Sequence, residues 1–157
     1  MVLFGTGGHF SVSVLKHLCA CNLAPVALVL PEYPAASKPG LSAFDVENDT
    51  RQNSFVFEAK ALSIPVIHAP KPRQSELPRV INRCRVDYIL VACWPYLLST
   101  DVLKEACNAA LNLHPSLLPA YRGADPVSAQ LANKERALGV SLHLLSEQFD
   151  RGDIIAQ

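Results

Sequence analysis

Short runs of apolar or β-branched residues alternate along the chain with segments whose apolar positions have a helical spacing. Continuous apolar runs are typical of buried strands, and an apolar residue at every third or fourth position is typical of an amphipathic helix. The predicted strands are residues 2–4, 26–30, 66–68, 88–92, 109–114, 140–145 and 154–156. The predicted helices are residues 10–19, 55–62, 77–84, 100–107 (capped by Ser99 or Thr100) and 126–133. This alternation predicts an α/β fold with a mostly parallel sheet and helices on both faces.

Two segments interrupt this regular order. Residues 31–53 contain three prolines and no clear period, and both a functional loop and a disordered insertion fit this composition. The sequence ends at Gln157, just after the start of a predicted strand, where a doubly wound domain would continue into a helix. Either a partner, such as a second copy of the chain, covers this edge, or the sequence is a shortened version of a larger protein.

Composition narrows the classes of protein to consider. The 157 residues fit one domain, of which half the residues are hydrophobic and only 18% are charged. Fourteen basic residues balance fourteen acidic ones, so the net charge does not attract a phosphate backbone. Five cysteines without a Cys-x-x-Cys do not suggest a disulfide framework and favour a cytoplasmic protein. The longest apolar run, residues 24–30, is too short to cross a bilayer.

An amide and an imidazole lie near the end of the predicted strand 109–114. Side chains alternate between the faces of a strand, so Asn112 and His114 share one face and the neighbouring leucines share the other. Pro115 ends the strand, and sites in parallel sheets lie beyond the carboxyl ends of the strands. An amide N–H can hold a developing oxyanion and a histidine can transfer protons. A catalytic pair and a hydrogen-bonded structural pair both fit this pattern.

Two carboxylates follow the strand that contains His143. Asp150 near His114 would fix the tautomer of that ring and stabilise its charged form. Asp153 competes for this role, and the spacing does not separate the two. Aspartate and glycine are also ordinary turn residues, so a simple loop over residues 149–153 is the alternative.

The remaining reactive side chains favour structural interpretations. Cys93, at the end of the fourth strand, would be a nucleophile together with His114 and Asn112, but a small buried thiol is the favoured interpretation. The other histidines have no metal-ligand spacing, so no metal site is predicted. Among them, His143 is interpreted as strand packing. These other histidines are His9, His17, His68 and His143.

A glycine-rich turn joins the first strand to the first helix. In Gly5-Thr6-Gly7-Gly8, free backbone N–H groups at a helix start would bind an anion. A dinucleotide motif would have a third glycine where Phe10 stands, although Glu32 occupies the position of a ribose-binding acid. The alternative is a tight turn that needs glycine only for its backbone.

Two long motifs behind this turn resemble the folate-dependent formyltransferase family. Residues 112–119, Asn-Leu-His-Pro-Ser-Leu-Leu-Pro, resemble its Asn-x-His and Ser-Leu-Leu-Pro core motif. Residues 141–157 resemble its second motif, and the spacing from His114 to Asp150 also matches. The resemblance covers nearly the whole chain and is strongest from Val91 onward. It implies a Rossmann-like formyltransferase catalytic domain over residues 1–157, without the family's final helix or the C-terminal barrel of methionyl-tRNA formyltransferases.

The resemblance also implies a reaction and a set of roles. The donor would be 10-formyltetrahydrofolate, and an acceptor amine would attack its formyl carbon. Asn112 would bind the formyl oxygen, His114 would help hold that oxygen and handle protons, and Asp150 would orient His114 and assist proton transfer. The residues implied for the donor are Trp94, Pro95, Tyr96, Leu97, Leu98, Leu145, Ser146, Glu147 and Gln148. Those implied for the acceptor are Gly7, Gly8, His9, Ser116, Leu117, Leu118 and Arg122.

The motifs leave the acceptor open. Residues 121–126, Tyr-Arg-Gly-Ala-Asp-Pro, are most similar to the methionyl-tRNA and sugar-nucleotide branches, whereas the first turn is closer to the glycinamide ribonucleotide branch. A small-molecule amine is favoured over tRNA, because the loop after the second strand has a negative net charge that would repel RNA. Residues 31–50 contain one base, Lys38, against Glu32, Asp45, Glu47 and Asp49.

Three alternatives to formyl transfer remain at this point. Water in place of the amine would make the same site a 10-formyltetrahydrofolate hydrolase. A shortened domain would bind folate without turnover and act as a subunit. A cysteine amidase would use Cys93.

Overall fold

A single seven-stranded sheet forms the centre of the computed structural model, which describes residues 1–32, 54–70 and 75–157. The strand order is β3-β2-β1-β4-β5-β6-β7. The strands are β1 (Val2–Gly5), β2 (Ala27–Glu32), β3 (Val66–Pro70), β4 (Tyr88–Ala92), β5 (Ala109–His114), β6 (Ser141–Leu144) and β7 (Ile154–Ala156). The helices are α1 (His9–Ala20), α2 (Ser54–Ala61), α3 (Leu77–Cys84), α4 (Thr100–Leu103) and α5 (Pro126–Ala132).

The first five strands of the sheet are parallel, and β6 and β7 are antiparallel to their neighbours. Gly5 pairs with Ala92, and Ala92 pairs with Leu113, so the carboxyl ends of β1, β4 and β5 lie side by side. The edge at which polar residues were expected to converge is therefore continuous across three strands. The predicted mostly parallel α/β sheet is confirmed.

Two apolar clusters cover the two faces of the sheet, because the strand residues alternate between them. Val2 and Phe4 of β1 pack with residues of α3 and α4, whereas Leu3 packs with residues of α1 and α2. The nearly continuous apolar strands predicted from the sequence are thus buried on both sides, as parallel strands usually are. Helices lie on both faces, as expected. No helix in the described part of the chain is long and apolar enough to cross a membrane.

Helix α4 is four residues shorter than predicted, and α5 is one residue shorter. Ser99 caps α4 as expected, its hydroxyl accepting a hydrogen bond from Val102 N at 3.4 Å. The helix ends at Leu103, however, and not at residue 107. The amide of Cys107 donates to Val86 O at 3.0 Å, so the chain turns towards the start of β4 instead of continuing the helix.

Three strands extend beyond their predicted ends: β1 through Gly5, β2 through Glu32 and β3 through Pro70. Pro31 and Glu32, assigned to the long loop, belong to β2 and pair with Ala69 and Pro70 of β3. A proline is tolerated there because β1 pairs with β2 only as far as Val29, which leaves that side of Pro31 without a ladder. The rest of the predicted loop, residues 33–53, lies outside the described residues, as do residues 71–74.

Candidate active site

Asn112 and His114 occupy one face at the end of β5, as the alternation predicts. Their exposed fractions are 9% and 4%, and Leu113 between them packs against the cluster on the opposite face. Both polar side chains are therefore almost removed from water. Buried polar groups require partners, and the partners come from β6, from the turn before β7 and from Tyr121 in the loop after β5.

Asp150 supplies the carboxylate that joins these two residues. Its Oδ1 lies 3.3 Å from Asn112 Nδ2 and 3.5 Å from His114 Nδ1, and its side chain is 8% exposed. Asp153, the competing candidate, is exposed. Its backbone oxygen accepts a hydrogen bond from Leu144 N, which holds the turn against β6. The carboxylate beside Asn112 and His114 is therefore that of Asp150 and not that of Asp153.

A tight fit holds this turn in place. A Cβ built on Gly152 would lie 1.8 Å from the backbone oxygen of Leu144. Only glycine therefore allows the turn to approach β6 closely enough for Asp150 to reach the end of β5. Asp150 itself has a positive φ of 52°, a backbone conformation in which non-glycine residues are uncommon.

His143 is a member of the cluster that the sequence analysis missed. Its Nε2 lies 3.0 Å from Asn112 Nδ2 and 3.6 Å from Asp150 Oδ1. Its Nδ1 lies 2.8 Å from Leu144 O, which can only accept, so Nδ1 has the hydrogen and Nε2 accepts from the Asn112 amide. The interpretation as strand packing was therefore incomplete. The signal was the antiparallel pairing, which sets His143 opposite Asn112.

The amide of Asn112 has a fixed orientation. One N–H donates to His143 Nε2 and the other to Asp150 Oδ1, at the longer distance of 3.3 Å. Turning the amide over would place two oxygens, of Asn112 and Asp150, against each other. The N–H facing Asp150 makes the weaker of the two hydrogen bonds and is the one most easily redirected to a ligand.

The ring of His114 is held between two oxygen acceptors. Its Nε2 lies 2.7 Å from Tyr121 O, which can only accept, so Nε2 is the N–H donor. Nδ1 faces Asp150 Oδ1 at 3.5 Å. A proton on Nδ1 would therefore be shared with a carboxylate, which is the geometry of a proton-transfer pair.

The pKa of Asp150 results from opposing effects. Burial alone would raise it. The N–H of Gly123 at 2.9 Å and the charge of the His114 ring act against burial, and the pKa of Asp150 lies below its ordinary value. Asp150 is thus an ionised acceptor at neutral pH.

The segments assigned to the donor lie on neighbouring parts of one core. Trp94 and Leu145 pack against the same apolar cluster, and Trp94 meets Phe4 edge to face at 5.0 Å. A hydrogen bond of 3.2 Å from Thr100 Oγ1 to Glu147 Oε1 links the start of α4 to the second segment. The two predicted segments, residues 94–98 and 145–148, therefore flank one region beyond β4 and β5.

The segments assigned to the acceptor are separate in the fold. Gly7, Gly8 and His9 lie at the end of β1, which β4 separates from β5. The loop of Ser116, Leu117 and Leu118 follows β5 directly. Among these residues, Arg122 contacts the cluster directly. Its side-chain Nε donates a hydrogen bond to the backbone oxygen of Asp150 at 2.8 Å.

Side-chain hydroxyl and amide groups brace the loop that follows β5. Ser141 Oγ donates to Ser116 O at 2.7 Å and accepts from Leu118 N at 2.9 Å. Gln157 Nε2 donates to Leu118 O at 2.8 Å. The backbone after His114 is thus tied to β6 and to the residue after β7.

Cys93 does not have the properties of a nucleophile. Burial raises the pKa of its thiol from 9.0 to about 11, so the reactive thiolate is disfavoured at neutral pH. It sits at the end of β4 with a φ of 61°, where the chain turns into the Trp94 segment. A small buried thiol therefore stays the favoured interpretation of Cys93. All five cysteines are free thiols.

Metal chemistry has no support among the residues the structure describes. Within the ranges 1–32, 54–70 and 75–157, no group of three or more His, Cys, Asp or Glu side chains could hold a metal ion. The side chains of Asn112, His114 and Asp150 form an amide–imidazole–carboxylate cluster.

Known proteins have sequences similar to this chain. The family model described as formyl transferase matches residues 1–157, the whole chain. The chain belongs to the formyl transferase family. A methionyl-tRNA formyltransferase of Anaeromyxobacter sp. strain K is 35% identical over 149 residues, which cover 94% of this chain and 45% of that relative. The chain thus spans about half the length of the curated relatives it matches.

Solved structures show the same fold. The chain matches glycinamide ribonucleotide transformylase 1 from Symbiobacterium toebii with a TM-score of 0.73 and 20% identity, covering 99% of this chain and 70% of that one. It matches a formyltetrahydrofolate deformylase from Pseudomonas syringae with a TM-score of 0.72 and 19% identity, covering 98% and 48%. At these identities, the likeness establishes the formyltransferase-type Rossmann-like fold and leaves the acceptor open.

Proposed function

We propose that the chain contains the catalytic site of an enzyme that transfers a formyl group from 10-formyltetrahydrofolate to an acceptor amine. The observation that supports this most is the position of Asp150 Oδ1, within 3.3–3.6 Å of Asn112, His114 and His143. A formyl transfer needs a hydrogen-bond donor for the formyl oxygen as that oxygen gains charge. It also needs a proton carrier and a base that orients this proton carrier. The cluster offers one side chain for each role.

The proposed reaction assigns one task to each side chain. The amine nitrogen forms a bond to the formyl carbon, and the bond from that carbon to the folate nitrogen breaks. The Asn112 N–H that now donates weakly to Asp150 turns to the formyl oxygen, where negative charge develops. His114 helps to hold that oxygen and transfers a proton. Asp150 orients His114 and assists the transfer of a proton to the departing folate nitrogen.

The donor is proposed to lie between the Trp94 and Leu145 segments. Trp94 Nε1 is buried and has no hydrogen-bond acceptor among the residues described. A buried N–H without an acceptor is costly, and a folate ring offers carbonyl and ring-nitrogen acceptors. The residues present therefore fit this donor. The acceptor is proposed to approach from the side of Arg122 and the glycine turn.

The acceptor amine is the finer part of the proposal. The curated relatives are named for methionyl-tRNA, which supports an acceptor of that kind. The balanced charge of this chain supports a small amine instead. Both belong in one panel of acceptors, because the proposed chemistry at the formyl carbon is the same for each.

A turnover assay tests the proposal. The protein is mixed with 10-formyltetrahydrofolate and with methionyl-tRNA, an amino-sugar nucleotide or glycinamide ribonucleotide, and tetrahydrofolate is followed by absorbance. N112A, H114A and D150N are each expected to lose about 100-fold or more in rate, since each removes a group that acts on the developing charge or its proton. The matched control is Asp153→Asn, which removes an exposed carboxylate from the same turn.

The same assay separates the alternatives. Formate released at an equal rate without any amine would indicate a hydrolase and contradict transfer. Saturable folate binding by calorimetry with no turnover on any amine would indicate a binding subunit. If N112A and H114A turned over at the wild-type rate, the chemistry would take place at a different site.

A further inference from the structure

A short strap, residues 121–123, contacts both residues of the proposed proton-transfer pair. Tyr121 O accepts from His114 Nε2 at 2.7 Å. Gly123 N donates to Asp150 Oδ2 at 2.9 Å, and Arg122 Nε donates to Asp150 O at 2.8 Å. The position of the strap therefore sets the direction of the His114 ring and of the Asp150 carboxylate together.

The strap does not adopt a relaxed backbone. Tyr121 has a φ of 57°, in the left-handed region that a bulky side chain rarely adopts. Such a conformation is strained and persists only when surrounding contacts hold it. Because the Tyr121 carbonyl is the acceptor for His114, the contacts that hold Tyr121 also hold that hydrogen bond.

The Tyr121 side chain reaches away from the site to the end of α5. Its hydroxyl donates to Glu135 Oε1 at 2.5 Å and accepts from Asn133 Nδ2 at 3.1 Å. Asn133 is the C-cap residue of α5, and the Glu135 amide donates to Gln130 O at 3.0 Å. Tyr121 and Glu135 are called the Tyr121–Glu135 latch. The latch is therefore anchored to helix α5 and not to a free loop.

The same helix returns to the site from the other side. Gln130, which is 3% exposed, donates through Nε2 to Pro115 O at 2.9 Å. Pro115 directly follows His114 on β5. The structure thus contains a closed circuit, from His114 through Tyr121 and Glu135 to α5, and from α5 back to the residue after His114.

We propose that Tyr121 and Glu135 are positioning residues for His114, acting through the hydrogen bond from the His114 ring to the Tyr121 carbonyl. Glu135 has no contact with the cluster in the described structure, so it acts only through Tyr121. Its hydrogen bond also raises the pKa of the Tyr121 phenol, which keeps the hydroxyl protonated as the donor. The expected effect on turnover rests on the proposed function, whereas the expected effect on the His114 ring rests on the geometry alone.

Two readouts test this inference. The first is the ¹⁵N resonance of the His114 ring in the free protein, recorded for wild type, Tyr121→Phe, Glu135→Ala and Glu135→Gln. The second is kcat and KM for formyl transfer. Tyr121→Phe and Glu135→Ala are expected to move the His114 Nε2 resonance and to lower kcat by about 5-fold with KM nearly unchanged, because the hydrogen bond that holds Tyr121 is lost. Glu135→Gln keeps an acceptor oxygen and is expected to retain both properties.

Glu105→Ala is the matched control. It removes an exposed carboxylate that accepts a hydrogen bond from Asn82 at 2.7 Å, on the surface formed by α3 and the end of α4. The His17 ring on α1 is the control resonance. Variants that lower the melting temperature while leaving the His114 resonance and kcat unchanged would overturn the inference, because the latch would then be purely structural.

The NMR arm separates this inference from the proposed function. A His114 resonance that moves in Tyr121→Phe but not in Glu105→Ala supports the latch even if no amine is formylated. A resonance that stays fixed overturns the latch even if the wild type is active. Should Tyr121→Phe fail to fold, the Glu135→Ala and Glu135→Gln pair gives the same decision at an exposed position.

Discussion

At the scale of single residues, Asp150 is the group on which the site depends most. Its pKa is held below the ordinary value of about 3.9. A carboxyl with a lowered folded-state pKa adds stability that is present above the unfolded pKa and is lost as the pH falls through the folded pKa. We therefore expect Asp150→Asn to lower the free energy of unfolding by about 1–3 kcal/mol at pH 7. This difference from wild type should narrow as the pH falls below about 4.

Urea unfolding from pH 3 to pH 8 measures this difference. Asp153→Asn serves as the comparison, because that carboxylate is exposed and contributes its backbone rather than its side chain to the turn. A constant difference between wild type and Asp150→Asn over the whole pH range would contradict the lowered pKa.

The same scale shows what residue patterns can and cannot predict. Asn112 and His114 could be placed on one face because strand alternation is a local rule. His143 was missed because its role follows from its pairing opposite Asn112, and the register between β5 and β6 depends on a connection of 26 residues that no local rule fixes. Asp150 could not be separated from Asp153 for a related reason, since only the turn geometry decides which carboxylate points inward.

At the scale of elements, the joint between β1 and α1 has a structural explanation that the anion-binding interpretation did not include. Ser11 is fully buried, and its hydroxyl donates to Ala92 O at 2.7 Å while accepting from Thr6 N at 3.3 Å. A Cβ on Gly5 would lie 2.9 Å from Ser11 Cβ. Gly5 therefore permits the close approach that lets α1 pack against the end of β4.

A pair of glycine variants tests this joint. Gly5→Ala is expected to lower the free energy of unfolding by about 1–3 kcal/mol, the cost of overpacking a tight core contact. Gly8→Ala is the matched control, because its Cβ would meet only Thr6 Oγ1 at 3.8 Å, and it should cost less than about 1 kcal/mol. Denaturant unfolding of both variants gives the comparison, and equal losses would show that the approach to Ser11 is not what selects glycine.

Element existence was predictable from sequence and element length was not. The strands are apolar runs long enough to identify, and all seven occur. The end of α4 depends on the hydrogen bond from the Cys107 amide to Val86 O, a contact between segments about 20 residues apart, so its sequence continued to look helical beyond Leu103. β2 can extend through Pro31 because its pairing with β1 has already ended at Val29. This extension depends on the neighbouring strand, so the residues around Pro31 could not predict it.

At the scale of the whole molecule, charge constrains the acceptor. A protein that neutralises phosphates loses RNA affinity steeply with salt, because each contact releases counterions. Fourteen basic and fourteen acidic residues give this chain no net attraction for a polyanion. We expect RNA binding by the chain to be weaker than about 10 μM at 150 mM salt. Filter binding with methionyl-tRNA between 50 and 200 mM salt measures it, and free methionine esters test the amine alone. Tight binding with a steep salt slope would show that local basic patches outweigh the balanced total, and tRNA would then be the favoured acceptor.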